Sequence, residues 1–308
     1  MLRLFILCAS LLLITPTFAL ATTYYVATTG SDTTGDGSSG NPWATPNKCF
    51  SSGTPIVAGD TCTVANGTYT DTDSNGSTVV ISTAAPHGNS GSPVTLKSTN
   101  YLGATLTIPG LNQRNAAVLL NRDWYIIEGF RMTGGTSNGT SASHHGVFQN
   151  GARTGNTIRL NKFDNIARTV CSTSINGNTG IFADAGGTIT VDRNVFFTIG
   201  RLRVGESGCA ASVANDSNDH AMYFGAFNGL TITRNVCYDS NRGYCIQIYK
   251  SGATQQNLNI YNNTLAGKSS TGTPDGQIIL SNTLTNANIK NNLCYDAEVS
   301  CINTFSLT

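Results

Sequence analysis

Ile158-Arg-Leu-Asn161 sets the pattern that decides the fold: an apolar residue, two variable residues and an asparagine. The same pattern recurs at Val191-Asp-Arg-Asn194, Ile232-Thr-Arg-Asn235, Ile260-Tyr-Asn-Asn263 and Ile289-Lys-Asn-Asn292. Successive asparagines are 33, 41, 28 and 29 residues apart. A repeat of this length is typical of stacked units, each too small to bury its own apolar face.

A second apolar strand precedes most of these asparagine-containing strands, and corners rich in glycine or asparagine separate the two kinds. The preceding strands are His145-Gly-Val-Phe148, Thr179-Gly-Ile-Phe182, His220-Ala-Met-Tyr223, Tyr244-Cys-Ile-Gln-Ile248 and Asp275-Gly-Gln-Ile-Ile279. No helical period separates them, which argues against βαβ units. We therefore predict a parallel β-helix whose asparagine side chains form a hydrogen-bonded ladder along one corner.

The composition excludes some functions. Only 11% of the 308 residues are charged and the net charge is +1, so nothing argues for nucleic acid or an anionic membrane as a partner. Residues 1–21 read as a secretory signal peptide: Arg3 is followed by the apolar run Leu4–Ile14, with a cleavage site near Ala21. The run is too short to span a bilayer. A secreted, extracellular protein is predicted.

Eight of the nine cysteines lie beyond this leader, an even number for an oxidising compartment. Two of the predicted pairs, Cys237–Cys245 and Cys294–Cys301, begin in near-duplicate contexts, Asn235-Val-Cys-Tyr-Asp239 and Asn292-Leu-Cys-Tyr-Asp296. Local spacing also favours Cys49–Cys62 and Cys171–Cys209. No two cysteines have the close spacing of a zinc site, so structural disulfides are the better interpretation.

The chain resembles the secreted right-handed parallel β-helix proteins of the pectate-lyase-like superfamily. The N-terminal motifs that carry this likeness are Tyr24-Tyr-Val-Ala-Thr-Thr-Gly-Ser-Asp32, Asn41-Pro-Trp-Ala-Thr45, Gly59-Asp-Thr, Asn66-Gly-Thr-Tyr69, Pro93-Val-Thr-Leu-Lys-Ser98 and Tyr125-Ile-Ile-Glu-Gly-Phe130. The resemblance implies an all-β, right-handed parallel β-helix solenoid with a short N-terminal capping segment. It implies one domain over residues 22–308, with the cap in 22–70 and the ladder coils in 140–308.

The resemblance also implies a function on polysaccharides, most often lyase chemistry on a uronic-acid glycan such as pectate or alginate. The active-site signatures of galacturonan hydrolases and of chondroitinase B-type lyases are absent. A glycoside hydrolase, a non-catalytic glycan-binding or adhesin-like module, and a structural solenoid therefore stay open as alternatives.

Stacking predicts which polar side chains share a face. The first strands align His145, Thr179, His220, Tyr244 and Asp275 in one outward column. β-Elimination needs a base, a cation for the carboxylate and a proton donor. The candidates are His220 or Lys250 as base, Arg242 as cation, and Tyr223 or Tyr244 as donor. His145, Tyr249 and Asp275 are candidate substrate-binding residues.

The longest interval between ladder asparagines carries its extra length in residues 200–219, which lead directly into His220. An insertion at a solenoid corner forms a loop, often on the binding face. Arg201 and Arg203 of this insertion are further candidates for substrate binding. Asp216 and Asp219 could hold Ca²⁺, although loops rich in Asp and Asn are more often simple turns.

The sequence ends within what reads as another coil, Cys301-Ile-Asn-Thr-Phe-Ser-Leu-Thr308, with no polar cap after it. An uncapped solenoid end exposes strand edges and core. A truncated chain or a covering partner is the expectation.

Overall fold

The computed structural model describes residues 20–210, 218–240, 243–267, 276–281, 283–297 and 300–304. Its strands, numbered in chain order, wind into coils that contribute to three parallel sheets. Every pairing between named strands is parallel, and the fold is the predicted right-handed parallel β-helix. Residues 1–19, which hold most of the predicted signal peptide, lie outside the described residues.

Sheet A contains the asparagine-pattern strands. Its members are β1 (Thr23–Val26), β2 (Thr61–Val64), β5 (Val94–Ser98), β8 (Tyr125–Glu128), β11 (Asn156–Arg159), β14 (Ile189–Asp192), the second half of β16 (His220–Thr233), β19 (Thr254–Tyr261) and β22 (Thr283–Lys290).

Sheet B follows the asparagine corner and consists of short strands. They are β3 (Gly67–Tyr69), β6 (Ala104–Ile108), β9 (Arg131–Gly134), β12 (Lys162–Ile166), β15 (Val195–Ile199), β17 (Val236–Ser240), β20 (Thr264–Ala266) and β23 (Leu293–Tyr295).

Sheet C closes each coil. Its strands are β4 (Ser77–Ile81), β7 (Arg114–Leu120), β10 (Ser143–Arg153), β13 (Thr179–Gly186), the first half of β16, β18 (Ile246–Ile248), β21 (Gly276–Leu280) and β24 (Ser300–Thr304). β16 pairs in both sheets because the strand turns the corner between them.

The core is a set of apolar columns, one for each sheet, as equivalent residues of successive coils stack at the parallel-strand spacing. In sheet A the column runs through Ile127, Ile158, Val191, Ile232 and Ile260, all fully buried. In sheet B it includes Phe163 and Phe196, whose rings stack 4.8 Å apart. Each coil therefore depends on its neighbours for burial of its apolar face.

The predicted asparagine ladder is confirmed. Asn235 shows the unit: its Nδ2 donates to Asn263 Oδ1 at 3.0 Å and to the Val191 carbonyl of the preceding coil at 3.0 Å. Its Oδ1 accepts from the backbone N–H and Nδ2 of Asn194 at 2.9 and 3.0 Å. The same bonds link Asn161 to Asn194 and Asn263 to Asn292.

A left-handed residue precedes each ladder asparagine, which the sequence pattern did not predict. Their φ angles lie between 54° and 58°, at Leu160, Arg193, Arg234, Asn262 and Asn291. This conformation costs a non-glycine residue roughly 1 kcal/mol or more. The buried hydrogen bonds of the following asparagine offset that cost, because they satisfy the peptide groups of a corner that carries no sheet pairing.

All four predicted disulfides are confirmed: Cys49–Cys62, Cys171–Cys209, Cys237–Cys245 and Cys294–Cys301. The first of them helps to form the N-terminal cap. There the 3₁₀ helix Pro46–Phe50 buries Cys49 and Phe50. Asn47 Oδ1 also accepts a hydrogen bond from the Val80 N–H of β4, the first strand of sheet C. The cap thereby satisfies part of an exposed strand edge.

No helix among the described residues has the length and apolar character needed to cross a bilayer.

Candidate functional site

A cleft of about 290 Å³ lies on the outer face of sheet C. Its floor comes from β10, β13, β16, β18 and Tyr249 directly after β18, and one rim comes from the segments around residues 175–177 and 218. The lining side chains are those of Arg114, Ser143, His145, Ile175, Asn176, Thr179, Phe182, Asn218, His220, Tyr223, Gln247 and Tyr249, with Gly177.

Two columns of stacked residues form the cleft floor. The first joins His145 to Thr179 and Thr179 to His220 in exact pairing register, so the predicted alignment of these three residues is confirmed. Tyr244 continues it, since the imidazole and phenol rings of His220 and Tyr244 stack 5.2 Å apart. The column is more buried than expected, with both histidines no more than 3% exposed. Asp275 lies outside the described residues.

The second column is aromatic. Phe148 pairs with Phe182, and Phe182 pairs with Tyr223, on successive strands of sheet C. The Phe182 and Tyr223 rings are stacked 5.0 Å apart and nearly parallel. His145 packs against both phenylalanines at 5.5 and 5.4 Å. Phe182 and Tyr223 thus present an aromatic band to the cleft, and the buried Phe148 extends the column beyond it.

Arg114 supplies the cleft's charge. Its guanidinium lies 4.5 Å from the centre of the Phe148 ring, a cation–π contact, while the side chain stays exposed. Among the described residues that line the cleft there is no other Arg or Lys, and no Asp or Glu. This part of the cleft therefore has a formal charge of +1 when its histidines are neutral.

His145 is held neutral. Burial is the main cause, and the nearby charge of Arg114 adds to it, so that the pKa of His145 falls to about 3. Its two ring nitrogens lie 2.9 Å from Thr179 Oγ1 and 3.2 Å from Ser143 Oγ. The uncharged imidazole therefore takes part in hydrogen bonds with hydroxyl groups and is a weak base.

His220 has a defined tautomer. Its Nδ1 accepts a hydrogen bond from the Tyr244 backbone N–H at 3.1 Å, so the proton of the neutral ring resides on Nε2. In this geometry His220 is a hydrogen-bond donor through Nε2 and lacks the lone pair that a general base needs there. The interpretation of His220 as a base is not supported by this arrangement, and Tyr244 is a stacking partner with a buried ring.

Tyr223 keeps its proton. Burial, together with the neighbouring Tyr249 and Asp184, raises the pKa of Tyr223 to about 12. Its hydroxyl donates to the Tyr249 carbonyl at 3.1 Å, and both residues line the cleft. A protonated phenol beside bound ligand can donate a proton but cannot act as a base near neutral pH.

The described part of the insertion holds a buried ion pair, and its Asn218 lines the cleft. The Arg201 side chain, 1% exposed, donates from Nε to Asp219 Oδ2 at 2.9 Å. Asp219 Oδ1 accepts from the backbone N–H and Nδ2 of Asn178, both at 2.9 Å. This arrangement does not support the predictions that Arg201 binds substrate and that Asp219 binds calcium, because both side chains are buried and paired with each other.

Burial disfavours the charge on Asp219 and is the largest single effect, but the Arg201 charge and the hydrogen bonds from Arg201 and Asn178 together outweigh it and hold the pKa of Asp219 below its usual value. The pair fixes the residue directly before His220 and joins the chain through Asn178 to His144, whose backbone N–H donates to Asn178 Oδ1 at 3.0 Å. The insertion therefore supports the cleft floor from behind.

The remaining residues that the sequence predicted for the site are not among the described residues that line the cleft. Lys250 Nζ lies 3.6 Å from Asp184 Oδ1 and is not among the described lining residues. Arg203 lies against sheet B, in a different cavity. Arg242 and Asp216 lie outside the described residues. Within the part of the chain that is described, no three His, Cys, Asp or Glu side chains group closely enough to hold a metal ion.

Sequence reasoning missed Arg114, Phe148 and Phe182. The two phenylalanines occupy the same position as Tyr223 in their strands, three residues after the first column, so the strand alignment could have found them. Arg114 begins β7, one coil before the region in which the repeat was recognised, and no pattern in the sequence pointed to it.

No family model matches the sequence, and no curated protein matches it. Similar solved structures include a rhamnogalacturonan lyase, 15% identical, with a TM-score of 0.44 and 92% of this chain and 87% of that chain covered. An alginate lyase from a Paenibacillus species is 12% identical at a TM-score of 0.44, covering 92% and 99%. A pectate lyase is 18% identical at a TM-score of 0.42, covering 90% and 80%. The strand register, rather than these similarities, establishes the fold.

Proposed function

We propose that this protein binds a uronic-acid-containing polysaccharide along the outer face of sheet C. One observation carries the proposal: a lone guanidinium, Arg114, lies over an aromatic band in a cleft whose described lining has no carboxylate. A uronate offers the complement to both features, a carboxylate for the cation and an apolar C–H face for the rings.

The rim supplies the hydrogen bonds that a sugar needs. Asn176, Asn218 and Gln247 present amides, and Ser143 presents a hydroxyl, around the aromatic floor. A few polar groups placed around an apolar surface are typical of small-ligand and glycan sites. The cleft also continues past Arg114 into a second hollow of about 170 Å³ against β4 and β7, which suits an extended chain rather than a single sugar. Four disulfides fit a protein that meets such a polymer in an oxidising compartment.

Arg114→Ala is expected to weaken the binding of hexagalacturonate or a mannuronate hexamer at least about tenfold, a loss of roughly 1.4 kcal/mol, because the carboxylate loses its cation. Isothermal titration calorimetry at low ionic strength measures the effect. Lys290→Ala, which removes the same charge from an exposed strand of sheet A, is the control and should leave the affinity unchanged. Equal affinity of the wild type and Arg114→Ala for both hexamers contradicts the proposal.

Cleavage by β-elimination is a second candidate, favoured by the protonated Tyr223 phenol in the same cleft as Arg114. In this chemistry Arg114 would neutralise the carboxylate, Tyr223 would protonate the leaving oxygen, and hydroxide from the solvent in the open cleft would take the C5 proton, because a pKa of about 3 makes His145 too weak a base. Glycoside hydrolysis has less support, because the described lining lacks the pair of carboxylates that this reaction uses.

Tyr223→Phe separates the two candidates. If the protein is a lyase, the variant should lose at least about a hundredfold in turnover, the usual scale of a general-acid contribution, while its affinity for the same polymer changes little. The assay follows the absorbance of unsaturated product from pectate, alginate and chondroitin, with and without calcium. Binding without product from any of the three polymers leaves glycan binding as the function.

A further inference from the structure

The near-duplicate strands Val236-Cys-Tyr-Asp239 and Leu293-Cys-Tyr-Asp296 enclose a notch on the outer face of sheet B, a different sheet from that of the cleft. Between them lies strand β20, followed by Gly267. This strand pairs with both neighbours and has small residues, Thr264 and Ala266, at its outward positions. The notch of about 420 Å³ is lined by Arg203, Tyr238, Asp239, Ala266, Gly267, Tyr295 and Asp296.

Two tyrosines form the walls. Tyr238 pairs with Ala266 and Ala266 pairs with Tyr295, so the tyrosines lie two strand spacings apart, about 10 Å. One face of the Tyr238 ring is covered by Phe197, at 4.5 Å between ring centres. The next position along the column is Ala266, whose methyl group leaves the other side of Tyr238 open. Tyr238 is 38% exposed and Tyr295 is 71% exposed.

The width of this gap selects the shape of an occupant. A flat ring between two aromatic rings needs about 7 to 8 Å, twice the carbon–carbon contact distance. A puckered, saturated sugar ring is thicker than a flat aromatic ring and fills more of a gap of this size. Both walls are also held firmly, because Cys237 and Cys294 beside the tyrosines are disulfide-bonded to Cys245 and Cys301. A backbone that is already fixed loses little freedom on binding.

The charge of the notch differs from that of the cleft. Asp239 and Asp296 follow the two tyrosines, with Gly267 between them, and Arg203 is the one cation among the described lining residues. The formal charge is therefore −1, which disfavours a uronate. Carboxylate oxygens are acceptors that suit sugar hydroxyl groups.

We propose that this notch binds a pyranose ring of a neutral polysaccharide between Tyr238 and Tyr295, as a second glycan site separate from the cleft. The protein would then hold two chemically different glycans, a neutral one on sheet B and an acidic one on sheet C. The inference does not depend on the proposed function of the cleft.

The experiment titrates the full chain with cellohexaose, mannohexaose and xylohexaose. At least one hexamer should bind, and Tyr295→Ala should weaken that binding at least about tenfold. Ala266→Tyr should also abolish it by filling the gap, and this change should not disturb the fold, because it extends the existing Phe197–Tyr238 stack. Tyr101→Ala, at an equally exposed tyrosine elsewhere, is the matched control.

Arg114→Ala should leave the neutral hexamer's affinity unchanged, and Tyr295→Ala should leave the affinity for hexagalacturonate unchanged. The proposed glycan site in the notch and the proposed glycan site in the cleft are therefore tested independently. The inference is overturned if none of the three hexamers binds at millimolar concentration, or if binding persists unchanged in both Tyr295→Ala and Ala266→Tyr.

Discussion

Asn235→Ala is expected to lower the free energy of unfolding by at least about 3 kcal/mol, because it leaves several buried backbone and amide groups without hydrogen-bond partners. The substitution removes the acceptor of the Asn194 backbone N–H and the donor to the Val191 carbonyl. It also breaks the ladder between Asn194 and Asn263 in the middle of the stack. Urea unfolding followed by circular dichroism measures the change.

Asn288→Ala is the matched control for the ladder. Asn288 also bonds a neighbouring asparagine, with its Nδ2 3.2 Å from Asn259 Oδ1, but on the exposed face of sheet A. Water replaces that bond, so the expected loss is below about 0.5 kcal/mol. Similar losses in the two variants would show that the corner asparagines act only as turn residues.

Arg201→Met is expected to destabilise the protein by about 3 to 5 kcal/mol at pH 7, because it leaves the Asp219 carboxylate buried without its cation. Arg234→Met is the control: Arg234 forms a bidentate pair with Asp192 at 2.8 and 2.9 Å, yet its side chain is 55% exposed. Asp192 keeps a second partner, Arg193 at 2.9 Å, when Arg234 is lost, so the expected loss is at most about 1 kcal/mol.

The loss in Arg201→Met should also depend on pH. In the wild type the folded pKa of Asp219 is lowered, so the pair contributes stability above the unfolded value of 3.8 that is lost as pH falls through the folded pKa. Without Arg201, burial raises that pKa, and the variant loses stability as pH rises through it. The stability difference between wild type and variant should therefore widen from pH 4 to pH 8. A difference that is constant over this range would mean that Asp219 carries no buried charge.

The fold was readable from the sequence because one asparagine in each coil marks the register. Once Asn161, Asn194 and Asn235 are aligned, the core columns and the His145–Thr179–His220 column follow. The short strands of sheet B were less visible: Thr264–Ala266 has only three residues, of which one is buried. The left-handed residues were hidden because Leu160 and Arg234 have no intrinsic preference for that conformation.

The site was less predictable than the fold. Residues that regular strands position, such as Tyr223 and His220, fell where the alignment placed them. The insertion offered no such rule, and its charged Arg201 turned inward to Asp219 instead of outward to a ligand. The tautomer of His220 could not be predicted from the sequence either, because it depends on a hydrogen bond that the Tyr244 backbone N–H of the next coil donates to His220 Nδ1.

The most direct test of the acidic-glycan cleft is a structure of the protein with hexagalacturonate or a mannuronate hexamer bound. The predicted result is a chain lying across β10, β13 and β16, with a carboxylate within hydrogen-bond distance of Arg114 and a sugar ring against Phe182 or Tyr223. A hexamer that binds elsewhere, or that leaves Arg114 and the aromatic band without contact, would show that the cleft on sheet C is not the acidic-glycan site.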